Sequence, residues 1–147
     1  MGLDTYFILR DKQTGTTVKI NYFRKYYELR DWIVDNCKAI DSDHYSFLVT
    51  YENLLSLEKV IERYAIPYSQ LNDDEIELLE EEDIVPARFE QIAVFQNFGG
   101  NEFNPRSSRS AFPIRKLLRL YHFVKATIDA ILNDLADNYD IIFYQSY

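Results

Sequence analysis

A chain of 147 residues with 47% hydrophobic side chains, four Gly and four Pro has the size and composition of one globular domain, which excludes a fibrous or wholly disordered polymer. Twenty-four acids against sixteen bases leave a formal charge of −8, which repels nucleic acid and anionic membrane when averaged over the surface. Cys37 is the only cysteine, so an intrachain disulfide and a cysteine-only metal cage are excluded.

Neither a basic stretch nor an apolar signal core follows Met1, and no run approaches the roughly 18 apolar residues that span a bilayer. The expectation is a soluble protein of the cytoplasm. Alternation at Thr16, Val18, Ile20 and Tyr22, after the apolar run 5–9 and the turn residues 12–15, predicts a β-hairpin over 5–22. From Phe23 to Cys37 the spacing turns helical, with Phe23, Tyr26, Tyr27, Ile33, Val34 and Cys37 on one stripe that Leu29 and Trp32 widen. A turn at 41–43 and a strand at 45–49 follow. Thr50 reads as the N-cap of a helix over 51–65, which Pro67 is expected to end.

Asn72 and Glu75 form a capping-box pattern for a short helix that ends before Pro86. The run 89–98 fits a strand or a helix, and 92–98 is read as strand. Residues 99–110 are the longest loop candidate and the first place to look for a site. Pro113 opens the longest helix, expected to reach Asn138, with Ile114, Leu117, Tyr121, Val124, Ile128, Leu132 and Leu135 at helical spacing. The last segment, 141–144, is a buried-strand pattern. Together these predict an α+β single domain spanning 1–147. Its antiparallel sheet includes the N-terminal hairpin and the C-terminal strand, with the helices mainly on one face.

The start Met1-Gly2-Leu3-Asp4 with Tyr6, the segment Tyr22-Phe23-Arg24-Lys25 followed by Trp32, and the ending Phe143-Tyr144-Gln145-Ser146-Tyr147 resemble a group of small bacteriophage and prophage proteins. Those proteins open with the same four residues, usually read Tyr-Trp-Arg-Lys at the inner segment, and close on Ser-Trp. Phe23 and Tyr147 depart from that pattern, and the middle of the chain does not match it. The resemblance implies a phage origin, hence the cytoplasm of a bacterial host, and no activity that could be carried over residue by residue.

Chemistry-bearing motifs are sparse. The pair Gly99-Gly100 lacks the Lys-Ser/Thr and the third Gly of phosphate-binding loops, and neither His44 nor His122 sits in a catalytic motif. Asp41, Asp43 and His44 offer metal-ligand types, but Asp-Ser-Asp before a strand is ordinary turn chemistry and a fourth ligand is not in view. No metal, cofactor or catalytic residue is therefore predicted.

The charge pattern says more. Asp73, Asp74, Glu75, Glu77, Glu80, Glu81, Glu82 and Asp83 form a block of eight acids with no base among them. Arg106, Arg109, Arg115, Lys116, Arg119 and Lys125 form a stretch of six bases with no acid, and His122 lies within it. Opposed blocks of this kind can neutralise each other within the fold or in a homodimer, or can steer charged partners.

The reading adopted is a non-enzymatic accessory protein that binds and inhibits a host protein. That host protein would be one that handles nucleic acid, such as an immune nuclease, and the eight acids would imitate a phosphate backbone in its basic groove. Direct binding of nucleic acid or membrane is not expected. One alternative is a phosphate- or nucleotide-binding protein or enzyme using Arg106, Arg109, Arg115, Lys116, Arg119 and His122. A second is a component of virion assembly.

Overall fold

The computed structural model describes residues 2–96 and 103–147. The chain opens with antiparallel strands β1 (Asp4–Asp11) and β2 (Thr17–Arg24), with Tyr6 opposite Tyr22 and a bulge after Phe7. Asp11 closes their turn by accepting from the Gln13 and Thr14 amides, and Gly15 supplies the positive φ of 76° that an L side chain resists. There follow α1 (Tyr27–Asn36), the short β3 (Lys38–Ala39), β4 (Ser46–Val49), α2 (Tyr51–Tyr68) and α3 (Asp73–Glu82). Among the described residues, three 3-10 turns (Ala87–Phe89, Ala93–Gln96 and Pro105–Ser107) precede α4 (Pro113–Leu132), the one-turn α5 (Leu135–Asn138) and β5 (Tyr139–Ser146).

The strands form one antiparallel sheet in the order β2-β1-β5-β4-β3. The C-terminal strand is thus central, paired with the N-terminal hairpin on one side and with β4 on the other. This is the α+β architecture that the hydrophobic patterning predicts. Because side chains alternate along a strand, Phe7, Phe23, Phe47, Val49, Ile141 and Phe143 share one face. They form one core with Leu29, Trp32 and Ile33 of α1, Leu54, Leu57 and Ile61 of α2, and Leu117, Leu120 and Val124 of α4. Among the described residues no helix packs on the opposite face, which carries Tyr6, Tyr22 and Tyr144.

Several elements depart from the sequence expectation. Phe23 lies in β2 and α1 starts only at Tyr27, because the hairpin register keeps Phe23 opposite Thr5, whose hydroxyl donates to its carbonyl. Val34, expected on the inner stripe, is 42% exposed. Helix α2 runs past Pro67 to Tyr68. The missing proline amide removes one helical bond, but the Ser69 amide still reaches the Ala65 carbonyl and the buried Tyr68 ring packs in the core. Within the expected strand, Ala93–Gln96 is instead a 3-10 turn pegged by Phe95, whose ring lies 4.7 Å from Tyr68 and 4.9 Å from Phe89. Residues 97 and 98 of that segment, and 99–102 of the expected loop, lie outside the described residues. The long helix stops at Leu132, where Asp134 takes φ 74°, a conformation that short polar side chains tolerate. Leu132, expected on the apolar stripe, is consequently exposed.

Candidate functional site

Helix α3 carries the acid block, and its two faces have different fates. Asn72 and Glu75 make the reciprocal capping box, and the Asn72 amide, aided by Arg88, holds the Glu75 carboxyl below its ordinary range. Ile76 and Leu79 turn the helix onto the core. Glu80 is on that same stripe: its side chain is 4% exposed, pairs with Arg115 at 2.5 Å and accepts from the amides of Ile114 and Arg115. It therefore caps α4 from a neighbouring helix, which the local sequence does not do: the N-cap Phe112 sits at φ 54° without a side-chain cap. Asp83 pairs with Arg106 at 2.5 Å.

Five acids remain outward. Asp73, Asp74, Glu77, Glu81 and Glu82 are exposed and, among the described residues, form no ion pair. Asp74, Glu77, Glu81 and Glu82 surround Leu78, itself 41% exposed, in a shallow depression. The result is one helix face of uniform negative charge with an apolar centre.

The basic stretch does not form a matching surface. Arg106 and Arg115 are held by Asp83 and Glu80, and Arg109 pairs with Asp31 on α1 with its guanidinium over the Tyr27 ring. The Lys116 ammonium donates to the Arg24 carbonyl, and burial pushes its pKa down. Arg119 donates to the Tyr22 carbonyl at 2.8 Å and covers Phe23. These two bases, with the Asn21 side chain that accepts from the Tyr22 amide, occupy outward backbone groups of the edge strand β2, which are otherwise a template for aggregation. His122 is exposed beside Tyr121, and Lys125 lies over the same ring. The six candidate anion-binding residues are thus distributed over four places and do not converge on one pocket.

A second group was invisible in the sequence. The buried Glu28 accepts from the Arg109 amide and the Ser110 hydroxyl, while Ser110 in turn accepts from the Tyr27 amide. This network straps residues 109–110 to the start of α1. No local motif announces it, since its partners lie about eighty positions apart. Asp41 does turn chemistry, accepting from the amides of Tyr45 and Ser46, and His44 contributes its backbone carbonyl to Gln145.

Cys37 is half-buried, and burial raises its thiol pKa to about 12. At pH 8 its thiolate fraction is then on the order of one in ten thousand. Native protein should react with a thiol-specific disulfide reagent at that pH far more slowly than urea-unfolded protein. Equal rates, read by absorbance, would show that the thiol is not shielded.

No family model matches this chain, and no curated protein and no solved structure matches it either.

Proposed function

We propose that this chain is a phage-encoded, non-enzymatic protein that binds and inhibits a nucleic-acid-processing host factor, and that the outward face of α3 is the contact surface. The observation that carries this reading is the sorting of charge along one helix. Glu75, Glu80 and Asp83 are used within the fold, and Asp73, Asp74, Glu77, Glu81 and Glu82 are left facing solvent with Leu78. Carboxylates along one helix face present negative charges a few ångströms apart, a spacing that a groove built for phosphates accepts. The phosphate-ligand alternative is less well supported, because Arg106, Arg115, Lys116 and Arg119 already have intramolecular partners.

The test is a capture experiment in host lysate, followed by titration of the captured protein. Asp74→Asn with Glu77→Gln, Glu81→Gln and Glu82→Gln removes four charges while keeping side-chain size. Its control, Asp35→Asn with Glu52→Gln, Glu90→Gln and Asp129→Asn, removes four exposed charges elsewhere. The first variant should lose affinity by more than about tenfold and the control by less than about threefold, with a steep salt dependence in the parent. Nucleic acid should compete for the same partner. Equal affinity in the two variants would overturn the proposal.

A further inference from the structure

The face of the sheet that no described helix covers has a composition unlike the rest of the chain. Tyr22, Tyr6 and Tyr144 lie side by side across β2, β1 and β5, with ring centroids 5.1 Å and 6.3 Å apart. Tyr22 is 41% exposed, and its hydroxyl donates to Asp4. The alternation of side chains places Lys19, Arg24, Arg10 and Lys38 on the same face, with Asp4 and Asp140 as its acids. Arg10 is paired with Asp140, and the Lys19 ammonium stands 4.2 Å above the Tyr6 ring. The average charge of −8 argues against nucleic acid, but the average does not apply here: four cations against two carboxylates make this face net positive.

We propose that this tyrosine row is a docking surface for a short single-stranded nucleic acid, whose bases stack on Tyr22, Tyr6 and Tyr144 while its phosphates lie against Lys19, Arg24 and Lys38. The charge complementarity selects this occupant. An uncovered antiparallel sheet with aromatic rings a few ångströms apart and cations beside them offers what an unpaired strand needs and what a duplex, with its bases stacked inside, cannot use. The inference is independent of the α3 reading, since the acids of α3 are not on this face.

Fluorescence anisotropy of labelled oligo(dT) and oligo(U) of about 12 nucleotides tests it on the full chain. Binding should saturate below about 100 μM at low salt, with a log–log salt slope near −2 for three phosphate contacts. A duplex of equal length should bind at least about tenfold more weakly. Lys19→Glu with Arg24→Glu should abolish binding, and Tyr22→Ala and Tyr144→Ala should each reduce it about tenfold, with circular dichroism confirming that each variant is folded. The four-amide variant of α3 should bind the oligonucleotides at least as well as the parent, so this proposal and the α3 proposal fail separately. No saturation with either oligonucleotide, preference for duplex, or unchanged binding by the charge-reversal variant would overturn it. So would capture of a host protein through the tyrosine face without oligonucleotide binding.

Discussion

Removing residues 139–147 will leave a chain that does not melt cooperatively. Strand β5 is hydrogen-bonded along its whole length to β1 and along four residues to β4, so its loss separates the N-terminal hairpin from β3 and β4. Ile141, Ile142 and Phe143 are each 5% exposed or less, and burying side chains of this size contributes about 1.5–3 kcal/mol apiece. Three of them amount to roughly 5–9 kcal/mol, comparable with the 5–15 kcal/mol that stabilises an ordinary domain. Circular dichroism on the truncated chain should show no sigmoidal thermal transition, or the product should be insoluble. Adding the missing strand as a peptide should restore part of the transition. A truncated chain that melts at the parent temperature would show that the sheet is not organised around β5.

That strand was legible because 141–144 is a continuous apolar run, although its true extent, Tyr139–Ser146, was not. The hairpin, the Thr50 N-cap and the capping box of Asn72 and Glu75 were legible for the same kind of reason: the signal lies within a few residues and needs no distant partner. Where tertiary packing decides, the sequence misleads. Pro67 reads as a stop, yet the buried Tyr68 holds the last turn of α2 in place. The run 92–98 reads as a strand, yet the rings of Phe89, Phe95 and Tyr68 fix Ala93–Gln96 as a turn.

The acid block shows the same division within a single helix. Eight acids in a row read as one surface, but a helix has two sides, and the position of Glu80 four residues after the buried Ile76 places it inward. That spacing was readable. Its partner, the uncapped start of α4, was not, because Pro113 advertises a helix start while Phe112 withholds the usual capping oxygen. Glu28 was less legible still, one of three acids in α1, whose hydrogen-bond donors come from Arg109 and Ser110.

Glu80→Ala and Glu77→Ala should therefore differ sharply, although the two residues are three apart in the same acidic run. Glu80→Ala leaves the Ile114 and Arg115 amides without their acceptor and the Arg115 guanidinium without its carboxylate. Loss of an N-terminal cap costs about 1 kcal/mol. The ion pair adds up to about 1 kcal/mol, no more because the Arg115 side chain is 42% exposed, for a total of at most about 2 kcal/mol. For a chain of this size, that lowers the melting temperature by about 4–8 °C. Glu80→Gln, which keeps an acceptor oxygen but not the charge, should fall between the parent and Glu80→Ala. Glu77 faces solvent, so Glu77→Ala should change stability by no more than about 0.5 kcal/mol. Urea titrations of the three variants provide the comparison, and the transition slope should stay constant if each remains two-state. Equal destabilisation by Glu77→Ala and Glu80→Ala would mean that the block acts through its net charge alone. A large loss confined to Glu80 would identify it as the residue that fixes α3 against α4 and so sets the direction in which the remaining carboxylates point.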